Sequence, residues 1–316
     1  MLKALLFFIV FPLAALFRWA TDPAQAADED TASEESDTPV ATAAATIAPA
    51  PEATPVRTRK TTVNFVAHED DDLLFLSPDI AADVQAGENV WVVYMTAGEV
   101  PPGNVEYANQ RVEGERAAYA RMARVANHWT SERVYFAGHE LLSSTLNGTH
   151  VRLIFTYIHA EDAAHGDSYG DLWRMRRDES FEASPLDGRA AYTHDEFVDT
   201  LRDIIYAANP DLIRTQNSAF EEHDHIDHTS GAILAAEADT VDGATMIRRS
   251  EYYDYAIGGL DANWSGYWVN EKTAVWHTYV RYDRQVAPGG WDNVMNRQYL
   301  RETYMPGDPW VPSDDF

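Results

Sequence analysis

The chain has 316 residues, of which 45% are hydrophobic and 12% aromatic, enough apolar material for one large domain or two small ones. Its formal net charge of −27 argues against DNA, RNA or anionic lipid as partners, because phosphates need Lys and Arg to neutralise them, and favours a neutral or cationic substrate. Cysteine is absent, which excludes disulfides, thiolate nucleophiles and cysteine-held metals; any transition metal must sit on His, Asp or Glu.

The chain opens with Lys3, an almost unbroken apolar run over residues 4–17, Arg18, and small residues at Ala24-Gln25-Ala26. This is the pattern of a signal peptide over residues 1–26, so export is expected, to the periplasm, the cell surface or the medium. The apolar run is shorter than the ~20 residues a spanning helix prefers; an uncleaved membrane anchor is the alternative. Residues 27–60, rich in Ala, Thr, Pro and acids, read as a disordered linker, since they hold too few large apolar groups to order themselves. A single folded domain is expected over residues 61–316.

Within that domain, residues 63–67 (VNFVA) read as a buried strand, 73–85 as a loop and helix, and 89–96 (NVWVVYMT) as a second strand. A helix is expected over 108–126 and strands over 132–137 and 151–158. The amphipathic run 195–208 is a helix that Asn209-Pro210 terminates, 212–215 is a short strand, and 230–236 is apolar and helix-friendly. Strands alternating with helices predict an α/β fold, a Rossmann-like and mostly parallel sheet covered on both faces. Beyond residue 240 the sequence becomes Trp- and Tyr-rich and reads as extra strands and loops. Its Trp264, Trp268, Trp276 and Trp291 serve either core packing or a sugar-stacking platform.

Two clusters carry chemistry. His68-Glu69-Asp70-Asp71-Asp72 directly follows the first strand, and open parallel sheets place ligands at the carboxyl ends of strands. Four consecutive acids repel one another, a repulsion that a cation would relieve, and His with Asp suits zinc; a solvated acidic loop is the competing reading. His223-Asp224-His225-Ile226-Asp227-His228 follows the strand at 212–215. There His225 and His228 share a face if the turn is helical, and Asp227 can hold an imidazole in one tautomer. Arg174-Met175-Arg176-Arg177 is a basic island that either meets a substrate anion or pairs with surface acids.

The first cluster resembles the A-H-P-D-D-[ED] motif, and the second the H-x-D-H motif, of the PIG-L/LmbE-like de-N-acetylases. Thr96-Ala97-Gly98-Glu99 is similar to that family's T-x-G-E turn, and residues 111–122 to its following helix. The resemblance implies His68, Asp71 and His228 as ligands of zinc, or alternatively iron(II). It implies Asp70 as general base, a protonated His225 as oxyanion stabiliser, Asp227 tuning a neighbouring histidine, and Arg111 near the substrate. Glu69 departs from the family's Pro, and Asp72 from its commoner Glu. The implied reaction is hydrolytic removal of an N-acetyl group from an N-acetylglucosamine-type amino sugar or glycoconjugate, with metal-activated water as nucleophile. A metal-dependent phosphoesterase and a non-catalytic carbohydrate-binding protein on the same fold are the alternatives.

Overall fold

The computed structural model describes residues 59–220, 224–287 and 289–311. The expected signal peptide, all but the last two residues of the expected linker, and Glu221, Glu222 and His223 lie outside the described residues. Among the described residues no helix is long and apolar enough to cross a membrane.

The elements run in the order β1 (Thr61–Val66), α1 (Asp71–Leu74), α2 (Asp79–Gln85), β2 (Asn89–Tyr94), α3 (Val105–Ala123), β3 (Trp129–Phe136), β4 (His139–Leu146), β5 (Val151–Phe155), α4 (Gly170–Arg177), α5 (His194–Ala208), β6 (Leu212–Thr215), α6 (Ile226–Ala238), the ribbon β7 (Thr240–Val241) and β8 (Ala244–Thr245), β9 (Arg249–Tyr252), α7 (Tyr267–Tyr279) and β10 (Leu300–Tyr304). The main sheet has the order β10-β9-β6-β1-β2-β5-β4-β3. Its middle, from β9 to β5, is parallel, and each edge is closed by antiparallel pairing. This is the mostly parallel α/β sheet expected from the alternation of elements.

Both faces are covered, and the side-chain alternation of β2 shows why. Val90, Val92 and Tyr94 enter the core cluster that includes α2, α3 and α7. Val93 and Met95 enter the opposite cluster, with Phe197, Leu201 and Ile204 of α5 and Leu234 of α6. A strand buried on both faces needs apolar residues at successive positions, which is how β1 and β2 read in sequence. α5 is fixed at its start by a capping box, Thr193 with Glu196, and ends on Asn209 in the left-handed conformation.

The part after residue 240 differs from its expected strands and loops. β9 and β10 do extend the sheet, but α7 is a 13-residue helix packed on α3. Its buried residues Lys272, Val275, Trp276 and Tyr279 recur at helical spacing, a stripe masked by aromatic and β-branched composition. Close packing on α3 is possible because Gly114 faces Tyr279; a Cβ there would lie 2.8 Å from the tyrosine ring. The strand His139–Leu146, which the sequence pattern did not reveal, pairs with β3 through Ala137-Gly138, both at positive φ.

Candidate active site

The parallel strands β1 and β6 lie side by side, so the two sequence clusters that follow them meet at one end of the sheet. The first cluster turns sharply from β1 into α1. Asp70 adopts φ 104, a conformation that costs a non-glycine residue roughly 1–3 kcal/mol and persists only when its surroundings hold it. Arg111 of α3 does the holding. Its Nη2 lies 2.8 Å from Asp70 Oδ1 and also donates to the Glu69 carbonyl, its Nη1 donates to the Gly98 carbonyl at 2.6 Å, and its Nε donates to Tyr279 Oη at 2.9 Å. Gly98 sits at φ 54, and any Cβ there would strike the guanidinium. Thr96 Oγ1 donates to the Ala67 carbonyl at 2.8 Å, tying the end of β2 to that of β1. The T-x-G-E turn is thus a brace for the first cluster.

At the centre of the site is Asp71, which is fully buried. Its Oδ2 accepts from the His68 backbone N–H at 2.7 Å and lies 3.2 Å from His68 Nδ1. Its Oδ1 is 3.1 Å from His228 Nε2, yet neither atom has hydrogen-bond geometry to a partner among the described residues. His228 stands in the first turn of α6, and its Nδ1 is 2.8 Å from Asp224 Oδ1 and 3.9 Å from Asp254 Oδ1. Asp227 Oδ2 is 3.3 Å from His68 Nε2 and accepts from the Glu161 N–H at 2.6 Å, so the imidazole it tunes is that of His68. His225, which caps α6, has its Nε2 2.8 Å from Glu161 Oε2.

The donor atoms of His68, Asp71 and His228 all lie within 4.8 Å of one another, as do those of His68, His225 and Asp227 and those of Asp224, His228 and Asp254. The first set is buried throughout and combines two imidazoles with one carboxylate. Buried nitrogen and oxygen atoms left without partners are costly, and a divalent cation would satisfy Asp71 Oδ1 and His228 Nε2 together. The residues present therefore fit such an ion.

The electrostatics follow from burial and crowding. Burial alone would lower the His68 pKa, but Asp71 and Asp227 outweigh it and raise it to about 9. Against the same burial, Asp71, Asp224 and Asp254 hold His228 above its ordinary value. Burial would raise Asp71, but the two imidazoles hold it well below the usual carboxylate range. Asp70 is pushed the other way: burial raises it well above that range, and Arg111 offsets only part of the effect. Burial, then the His68 charge, lowers His225. Glu69, which stands where the family motif has Pro, is fully buried and raised to about 7 by that burial. Asp72 is held in the core by the Tyr94 and Tyr119 hydroxyls.

A pocket of about 200 Å³ opens over this floor and is lined by His68, Asp70, Arg111, Glu161, Tyr255 and Trp291 among others. The structure thus brings together His68, Asp70, Asp71, Arg111, His225, Asp227 and His228. It adds Glu161, Asp224, Asp254, Tyr255 and Trp291, none of which the motifs mark. Asp224 was the most accessible of these, since it lies within the second cluster. Elsewhere, Arg174 pairs with Asp167 and Asp171, Met175 is buried, and the Arg177 guanidinium lies 5.9 Å from the Trp173 ring centroid. The basic island is to that extent paired within the protein.

The family model described as PIG-L, GlcNAc-PI de-N-acetylase, matches residues 63–238. No curated protein matches the chain. Among solved structures, a deacetylase triple mutant of the teicoplanin biosynthetic pathway is 18% identical with a TM-score of 0.45, over 81% of this chain and 100% of that one. The N,N'-diacetylchitobiose deacetylase from Pyrococcus horikoshii is 13% identical with a TM-score of 0.45, over 74% of this chain and 73% of that one. A 4-carboxy-2-hydroxymuconate hydratase from Pseudomonas putida is 14% identical with a TM-score of 0.41, over 81% of this chain and 99% of that one. Likenesses this distant join deacetylases and a hydratase alike, so function is read from the family match and from the geometry of the site.

Proposed function

The chain belongs to the PIG-L, GlcNAc-PI de-N-acetylase family, and we propose that it is an exported, metal-dependent hydrolase that removes N-acetyl groups from an N-acetylglucosamine-type amino sugar or glycoconjugate. The observation that carries this reading is Asp70. It is a buried carboxylate with a raised pKa, held in a strained conformation by Arg111, at the mouth of a pocket and beside a buried His-Asp-His set.

His68, Asp71 and His228 would hold zinc or iron(II), which supplies Lewis acidity: it makes water more acidic and polarises a carbonyl. Asp70 then takes the proton of the attacking water, a task suited to a carboxylate whose pKa burial has raised well above the usual range. As the acetamide carbon gains its new C–O bond, its oxygen takes up negative charge, and His225, which lines the pocket, donates a hydrogen bond to it. Because the Nε2–H faces Glu161, donation to the oxyanion from Nδ1 requires the imidazolium; burial lowers the His225 pKa and works against that expected protonated form. Glu161 holds that ring by its Nε2. When the C–N bond breaks, Asp70 returns its proton to the leaving nitrogen, giving acetate and a free amine. Arg111 acts by fixing Asp70 and the Glu69 and Gly98 carbonyls. Its nitrogens are already engaged, which disfavours a phosphoesterase that would need them for a phosphate.

The test is acetate release from a panel of N-acetylglucosamine oligosaccharides by the metal-loaded full-length chain, with Asp70→Ala alongside. Release by the parent and its loss in the variant are expected. Phosphate release from phosphomonoesters without acetate release would sink the reading. Export is tested separately, by locating the native protein after cell fractionation with the first 26 residues present or deleted.

A further inference from the structure

The motifs account for the floor of the pocket but not for its wall. There the Tyr255 and Trp291 rings are stacked, with centroids 5.2 Å apart and planes 17° apart. The Tyr255 ring also packs 5.2 Å from the His228 ring and 5.2 Å, edge-on, from Phe75. A continuous aromatic wall therefore runs from a proposed metal ligand outward to Trp291. Lys272 secures its outer end: the ammonium donates to the carbonyls of Leu74, Val294 and Arg297, clamping the turn after Trp291 against α1. Unlike Trp276, which is fully buried in the core, Trp291 and Tyr255 are half-buried and both border the pocket.

We propose that Tyr255 and Trp291 form the face against which the substrate's sugar ring lies, in a site that selects uncharged or amino-bearing glycans over phosphorylated or uronic ones. The proposal rests on the deacetylase reading above and names the substrate class for it. A pyranose ring presents a face of C–H bonds, and their slightly positive hydrogens suit the negative face of an aromatic ring. The polar groups around the wall set the charge preference. Glu99 and Glu161 line the same pocket, the first fully buried beside His159 and the second beside His225. Arg111 is its only Lys or Arg among the described lining residues, and each of its three nitrogens already contacts Tyr279, Gly98, or Glu69 and Asp70. Beside the aromatic wall, an anionic sugar would find no free guanidinium nitrogen to pair with. A neutral sugar needs no such partner.

The experiment measures kcat and KM for acetate release, and binding by calorimetry, with metal-loaded full-length protein. The substrates are a neutral N-acetylglucosamine disaccharide, N-acetylglucosamine and N-acetylglucosamine 6-phosphate. Trp291→Leu keeps apolar bulk against the core without a ring, and Trp291→Phe keeps a ring. For the disaccharide, Trp291→Leu should raise KM about tenfold while kcat changes by less than about twofold, and Trp291→Phe should restore most of the loss. The parent should favour N-acetylglucosamine over its 6-phosphate. An unchanged KM in Trp291→Leu, Phe performing no better than Leu, or preference for the phosphate would each overturn the proposal while parental acetate release leaves the deacetylase reading standing. No binding and no acetate release from any amino sugar by the parent would overturn both.

Discussion

The floor of the pocket is built from the carboxyl ends of β1 and β6 and buries Asp70, Asp71 and Asp227 with two imidazoles. Its wall, contributed by residues beyond 240, is aromatic and half-exposed, with Tyr255 stacked on Trp291. The contrast separates two tasks. Charges buried in the floor cost several kcal/mol each unless they are paired, so each group there is fixed by a second group: Asp70 by Arg111, His228 by Asp224, His68 by Asp227. The two rings of the wall carry no charge of their own, and the buried Lys272 holds only its outer end. On the proposed reading, reactivity belongs to the floor and substrate choice to the wall.

Removing Asp70 should break this division most severely. Asp70→Ala is expected to lower kcat by roughly 10²–10⁴-fold with metal content unchanged. Metal analysis together with steady-state acetate release checks both halves. If Trp291→Leu lowers kcat as much as Asp70→Ala does, the separation of floor from wall fails.

Metal binding should depend steeply on pH, because the floor holds protons when no ion is there. In the metal-free protein His68 titrates at about 9, against an ordinary 6.5. The extra stability that this raised pKa gives the metal-free fold is fully present below about pH 6.5 and is lost as pH rises through about 9. A metal ion must displace that proton, so affinity should fall about tenfold for each pH unit below 9 for each proton displaced. Zinc competition against a chelator from pH 6.5 to 9 measures it; a flat profile would contradict displacement of a His68 proton by the metal.

A smaller effect is expected one step outside the ligand set. Asp224→Ala removes the carboxylate that holds His228 Nδ1 and should weaken metal binding by about 10–100-fold. The same chelator competition reads it, and Asp224→Asn should recover part of the loss because its amide oxygen can still accept from Nδ1.

The floor was legible and the wall was not, and the reason is physical. His68, Asp70 and Asp71 stand together in sequence because one sharp turn after a strand must present all of them, and β6 has the bounds that its apolar run indicates. Arg111 could be picked out only through the resemblance, since nothing local shows that a residue in α3 reaches back to Asp70. Glu161 lines the pocket and Asp254 approaches His228 from separate loops, and a lone acid carries no spacing to read; Trp291 stood among four tryptophans that the sequence left between core packing and a sugar platform. α7 was hidden for another reason. Its stripe of Lys272, Val275, Trp276 and Tyr279 has helical period but strand-like composition, and tertiary packing on α3 decides the outcome.

That packing supplies the mildest test, at the junction of floor and wall. Gly114 in α3 gives way to the Tyr279 ring of α7, and an alanine Cβ would lie 2.8 Å from Tyr279 Cδ2 and 3.3 Å from its carbonyl oxygen. In an isolated helix Gly→Ala would gain up to about 1 kcal/mol. Overpacking a fitted contact costs about 1–3 kcal/mol, so Gly114→Ala should be destabilised by about 1 kcal/mol, measurable as a lowered urea midpoint. The displaced group matters as much as the cost. Tyr279 Oη accepts from Arg111 Nε at 2.9 Å and donates to Asp283 at 2.8 Å, and Arg111 holds Asp70. A wall helix pushed outward therefore loosens the base of the floor, and kcat should fall modestly while KM for the neutral disaccharide stays near the parental value. A rise in KM at constant kcat would instead place Tyr279 with the wall, and the boundary between the two regions would have to be redrawn inside α7.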